Sequence, residues 1–156
     1  MDLEQLERRL QAVEDIEAIK KLKFKYCAAC DNRYDADAIA ALFTEDAVWD
    51  GGNFGTFEGR EAIRTFFQGA SNIFPFALHQ VMNPLIEVDG DTATGQWYLF
   101  QPCTLGEQNQ AMWLAAKYAE EYVRSGGQWQ FKSLKVNAEF FTPYEEGWAK
   151  KPFAGQ

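Results

Sequence analysis

The feature that most constrains the fold is a change of hydrophobic period half-way along the chain. Leu3, Leu6, Leu10, Val13, Ile16, Ile19 and Leu22 recur at three- and four-residue spacing, which predicts a long amphipathic helix running to about Ala29. A second helix is predicted after Asp35, whose carboxylate can cap it, carrying Ile39, Leu42 and Phe43. A third follows Gly59, with Ile63, Phe66 and Phe67 on its buried face. From Leu78 the pattern shortens. Leu78 to Val88 reads as a strand, Asp89-Gly90-Asp91 as a hairpin turn, and Thr92 to Pro102 as the returning strand. Residues 111–124, with Trp113, Tyr118, Tyr122 and Val123, form another, and Gly126-Gly127 turns into a last strand from Gln128 to Thr142.

That last strand changes parity. Trp129 and Phe131 share one face, whereas Leu134, Val136, Ala138 and Phe140 share the other, so a bulge near Lys132–Ser133 is expected to bend the sheet. Helices first and a hairpin-linked sheet after them give an α+β domain. No linker, repeat or low-complexity tract divides the 156 residues, so residues 1–156 are read as one domain with one core.

Composition narrows the function. The net charge of −8 would repel a phosphate backbone and predicts no nucleic-acid partner. Lys20, Lys21, Lys23 and Lys25 are interleaved with apolar residues and read as the solvated face of the first helix. No apolar stretch reaches a membrane-spanning length, Met1-Asp2-Leu3-Glu4 is not a signal peptide, and three cysteines argue for a reducing compartment. These features predict a soluble, cytoplasmic protein with no membrane partner. Aromatic residues make up 15% of the chain, enough to line a cavity or an interface as well as a core.

Few residues can carry chemistry. His79 is the sole histidine, set among Phe76, Leu78, Val81 and Met82 on what reads as a strand. Imidazole exchanges protons readily near neutral pH, although a histidine in such a context can equally be a core or surface residue without a role. Asp31 closes the first helix. It can merely punctuate the helix end, yet the macrodipole disfavours a carboxylate there, and a partner imidazole would supply a reason for it. Tyr26 lies about one and a half turns earlier and can face the same cavity. Cys27-Ala-Ala-Cys30 has redox spacing but lies late in a helix, where a thiolate gains little. Cys103 and His79 are too scattered to suggest a zinc site, and Gly51-Gly52-Asn53-Phe54-Gly55 reads as a turn, so neither metal nor cofactor is expected.

The order Tyr26-x4-Asp31, Leu42-Phe43-Thr44-Glu45-Asp46-Ala47-Val48-Trp49, Gly59-Arg60-Glu61-Ala62-Ile63, His79 and Val88-Asp89-Gly90-Asp91-Thr92-Ala93 resembles the SnoaL-like branch of the nuclear transport factor 2-like superfamily. The segment from Tyr118 to Tyr122, Gly127-Gln128-Trp129 and Phe140-Phe141-Thr142-Pro143 looks like the subgroup of scytalone dehydratase, bile acid 7α-dehydratase and hexachlorocyclohexane dehydrochlorinase. The resemblance covers nearly the whole chain. It implies a cone-shaped α+β barrel, commonly trimeric, in which helices pack on a strongly bent, mostly antiparallel sheet. It also implies cofactor-free elimination by an Asp–His pair, here Asp31 and His79.

Tyr26 matches the tyrosine of the dehydratases, where the dehydrochlorinase carries a lysine. The pocket positions fall near Trp49, Leu99, Gln101, Leu114 and Tyr118. One departure stands out: the dehydrochlorinase's leaving-group arginine on the last strand aligns with Leu134, and Lys135 beside it has the opposite parity. The resemblance therefore implies a dehydratase-like lyase acting on a small, apolar, cyclic substrate. An isomerase or cyclase of the ketosteroid isomerase or polyketide cyclase type, or a non-catalytic binding protein, shares the same cone.

Overall fold

The computed structural model describes residues 1–155. Helix α1 spans Leu3–Asp31 and α2 Ala36–Ala40; strand β1 (Phe43–Asp50), a 3-10 turn (Gly52–Phe54) and β2 (Thr56–Glu58) lead into α3 (Arg60–Ile73). Strands β3 (Phe76–Ala77), β4 (Gln80–Asp89), β5 (Thr92–Leu105), β6 (Gln110–Ser125) and β7 (Gln128–Pro143) complete one seven-stranded sheet, ordered β2-β1-β7-β6-β5-β3 with β4 also on β5. Every pairing is antiparallel except β1 with β7. Helices followed by a strongly curled mixed sheet form a half-barrel, the cone-type α+β fold. Among the described residues no helix is long and apolar enough to cross a membrane.

The curl has a local origin in β7. Glu121 pairs with Ser133 and Tyr122 with Phe131, so Lys132 is the extra residue of a bulge where the parity change predicts one. A second bulge was not foreseen. Ala115 pairs with Phe140 and Ala116 with Ala138, which leaves Glu139 unopposed. That extra residue flips the strand's end. Phe141 turns inward onto Phe54 and Phe74, while Phe140 stacks on Trp148 instead of continuing the Leu134 face.

Three expectations need correction. Leu42 and Phe43 are not helical: α2 ends at Ala40 and Phe43 opens β1, packing on Phe131 of the parallel neighbour. The leading turns of α1 do not pack on the body either. Leu3, Leu6, Leu10 and Val13 are 49–69% exposed, and the first buried residue of the helix is Asp15. Its carboxylate accepts from Trp129 Nε1 at 3.0 Å and from Arg124 at 2.5 Å.

The third correction is Lys23, which is fully buried rather than solvated. Its ammonium pairs with the buried Glu120 of β6 and lies 3.2 Å from the Tyr118 ring centroid. Glu120 also accepts from the Tyr122 hydroxyl, which accepts in turn from Trp97 Nε1 at 3.1 Å. Gly95 makes room for this chain, since a Cβ there would lie 2.5 Å from the Tyr122 oxygen. The charges are tolerated because each finds a partner; removing one strands the other in a low-dielectric interior. Glu120→Ala is therefore expected to destabilise the fold by about 3–5 kcal/mol, read as a lowered urea midpoint. A midpoint within error of the wild type would show that Lys23 escapes to solvent.

Candidate active site

The site begins at the end of α1. Among the described residues no basic side chain occupies its last turn, so the carboxylate of Asp31 has no local cation to offset the helix terminus. Partners come from 48 residues away. Asp31 Oδ1 accepts the backbone N–H of His79 at 2.8 Å and faces His79 Nδ1 at 2.7 Å. An ionised carboxylate can only accept, so this contact calls for a hydrogen on Nδ1.

His79 does not sit within a strand, as the sequence suggests, but in the two-residue break between β3 and β4. There the chain steps off β5 after Leu78, whose N–H bonds Pro102 O at 3.1 Å. The imidazole is nearly buried and Asp31 remains partly open, with side chains 6% and 26% exposed.

Tyr34 packs edge-on against the His79 ring, centroids 6.0 Å apart at 83°. It is brought there by two successive left-handed residues, Arg33 (φ 55°) and Tyr34 (φ 56°), which fold the chain back after α1. Two non-glycine residues at positive φ store strain, of the kind that gathers at functional sites. Nothing in the sequence pattern announces that turn, and Tyr34 was missed for that reason.

His79 forms part of the wall of a small cavity of about 70 Å³. Tyr26, Trp49, Leu99, Gln101, Leu114 and Tyr118 line the same cavity, so the structure brings the pocket positions expected from sequence to one place. Asp31 stands behind His79 and is not on the wall. The remaining lining is largely aromatic, from Phe54, Phe66, Phe67 and Phe74. The helical spacing that marks Phe66 and Phe67 as core does not show that they also line the cavity. Phe54 and Phe74 reach the cavity through the 3-10 turn and the end of α3, which periodicity does not resolve.

Trp49 and Tyr26 are coupled: the indole N–H donates to the Tyr26 hydroxyl at 3.0 Å. Burial pushes the Tyr26 phenol well above its ordinary pKa, with the neighbouring Cys30 and Tyr118 adding to the rise. The thiols are likewise held protonated. Burial raises Cys27 to about 11 and Cys103 to about 12, and Cys30 moves in the same direction. That is the opposite of the low-pKa thiolate a redox pair needs. On the last strand the cavity is lined by Val136 and Ala138. Leu134 is buried elsewhere in the core, and Lys135 points out toward Asp50 at 3.6 Å. Among the described residues no Lys or Arg side chain lines the cavity and no cluster of potential ligands could hold a metal ion.

Residues 11–135 match the SnoaL-like domain family. The chain belongs to the SnoaL-like family. Among similar proteins is the gamma-hexachlorocyclohexane dehydrochlorinase of Sphingobium indicum, 29% identical over 147 residues, 91% of this chain and 87% of the relative. An uncharacterized protein of Mycobacterium tuberculosis is also 29% identical, over 80% of this chain and 88% of its own.

The SnoaL-like fold is shared with solved structures. The hexachlorocyclohexane dehydrochlorinase of Novosphingobium barchaimii superposes with a TM-score of 0.80 at 27% identity, covering 86% of this chain and 93% of that one. A scytalone dehydratase-like protein of Novosphingobium aromaticivorans gives 0.77 at 22% identity, covering 92% and 95%, a likeness of fold alone.

Gly51 tests how tightly the cavity wall is set. A Cβ there would lie 2.3–2.4 Å from the buried Trp49 indole ring, so the ring must shift. Gly51→Ala is expected to cost about 1–3 kcal/mol by overpacking and to change Trp49 emission as the indole leaves Tyr26. Unchanged stability and emission would show that the wall is soft.

Proposed function

We propose that this SnoaL-like protein is a cofactor-independent lyase that eliminates water from an uncharged cyclic substrate, with His79 as the base. The observation that carries the reading is the 2.7 Å contact between Asp31 Oδ1 and His79 Nδ1 on the wall of an apolar cavity. Asp31 fixes the tautomer and stabilises the imidazolium that forms, which leaves Nε2 to take a proton from carbon.

Imidazole is too weak a base for an unactivated C–H, so the carbon must lie next to a carbonyl. Nε2 takes the proton, the C–H electron pair becomes an enolate, and its collapse expels the β-hydroxyl, which takes the proton back from the imidazolium Nε2 and leaves as water. Tyr26 is the hydroxyl that the family-like pattern supplies for donation to oxygen. The lyase-type relatives support elimination as the class of reaction. Water rather than chloride is the leaving group in this reading, because Leu134 stands where the dehydrochlorinase's arginine aligns and, among the described residues, no Lys or Arg side chain lines the cavity.

Cyclic β-hydroxyketones, assayed for enone formation by absorbance, provide the test. His79→Ala is expected to lower the rate by about 10²–10⁴-fold, and Asp31→Asn to lower it as well while leaving the fold intact. Turnover surviving in His79→Ala would remove histidine from the mechanism.

A further inference from the structure

Elimination through an enolate needs a donor for the oxygen on which negative charge develops, and three tyrosines stand on the cavity wall to provide it. Their surroundings differ. The Tyr26 oxygen already accepts the Trp49 N–H, and its hydroxyl lies against the Cys30 thiol. Tyr34 stacks on Phe67, its ring 5.9 Å away at 19°, and meets His79 edge-on; among the described residues no Lys or Arg lies over it. Tyr118 is 2% exposed, and among the described residues no side-chain hydrogen bond engages its hydroxyl. The buried Lys23 ammonium lies 3.2 Å from its ring centroid, against 4.9 Å from that of Tyr26.

We propose that Tyr118 is the catalytic hydrogen-bond donor to the substrate's carbonyl oxygen, polarised by the Lys23 ammonium against its ring. The proposal rests on the enolate reading above and moves the oxygen contact from Tyr26 to Tyr118. An ammonium on the face of a phenol draws electron density from the ring, so its O–H becomes a stronger donor without losing its proton. Burial keeps that proton in place. It pushes the Tyr118 pKa well up, with Cys27, Cys30, Glu120 and Tyr34 adding to the rise, so Tyr118 is a neutral donor rather than a phenolate at neutral pH.

Glu120 holds Lys23 from its far end and is itself occupied by Tyr122, so the ammonium is fixed in place beneath the ring. A preorganised donor of this kind needs no reorganisation when charge appears on the substrate. Substrates in this account carry a carbonyl and no charge of their own, because among the described residues no Lys, Arg, Asp or Glu side chain lines the wall.

Binding of pentafluorophenolate, which is ionised at neutral pH and mimics an enolate oxygen on a ring, tests this without a known substrate. Pentafluorobenzene, of the same shape but lacking the oxygen, is the control, and both are followed by ¹⁹F NMR. Wild-type protein is expected to prefer the phenolate by about ten-fold or more, the size of a charge-assisted hydrogen bond. Tyr118→Phe, which keeps the ring over Lys23, should abolish that preference while still binding pentafluorobenzene.

Tyr26→Phe, Tyr34→Phe and His79→Ala should each keep the preference within about three-fold. Because His79→Ala retains it, failure of the base reading appears in turnover and not in this titration. No preference in the wild type, its survival in Tyr118→Phe, or an equal loss in Tyr26→Phe or Tyr34→Phe would overturn the assignment.

Discussion

One carboxylate oxygen ties the two halves of the molecule together where the chemistry is placed. Asp31 Oδ1 meets both the backbone N–H and the ring nitrogen of His79, joining the end of α1 to the break between β3 and β4. The backbone contact fixes where the imidazole stands, and the ring contact fixes which nitrogen bears the hydrogen. A carboxylate at a helix C-terminus is disfavoured by the dipole, and two N–H donors offset that cost. The site and the local fold thus share the same interaction.

The rest of the cavity serves this arrangement by being apolar and shaped. Lys23 and Glu120 pair at full burial, so α1 is anchored to β6 by charge as well as by packing. That anchor sets Tyr26 and Asp31, both on α1, against Tyr118 on β6. The bulges at Lys132 and Glu139 curl β7 so that Val136 and Ala138 face the cavity and Phe141 meets Phe54 and Phe74 near the 3-10 turn. Family membership accounts for the cone. The chemistry in this chain depends on which side chains stand on its inner wall.

Much of this was legible in the sequence where local rules and tertiary structure agree. The hairpins at Asp89-Gly90-Asp91 and Gly126-Gly127 and the bulge at Lys132 follow from turn chemistry and strand parity. Misreadings arose where tertiary contacts override the local pattern. Leu42 and Phe43 continue a helical spacing from Ile39, yet parallel pairing with β7 makes Phe43 a strand residue. Lys23 has the spacing of a solvated lysine, and only Glu120, 97 residues away, turns it inward. Leu3 to Val13 show a helix's apolar stripe with no surface of this chain against it. Tyr34 reaches His79 through two residues at positive φ, a backbone state that neither Arg33 nor Tyr34 advertises.

Because His79 is the sole histidine, its ring can be observed without assignment. The central claim is that Asp31 holds a hydrogen on Nδ1 and leaves Nε2 free. A ¹⁵N-resolved NMR spectrum of the imidazole above neutral pH reads that tautomer directly. The account predicts a protonated Nδ1 and a bare Nε2 in the wild type, with the preference lost in Asp31→Asn. A ring protonated on Nε2, or a tautomer mixture unaffected by Asp31→Asn, would contradict it.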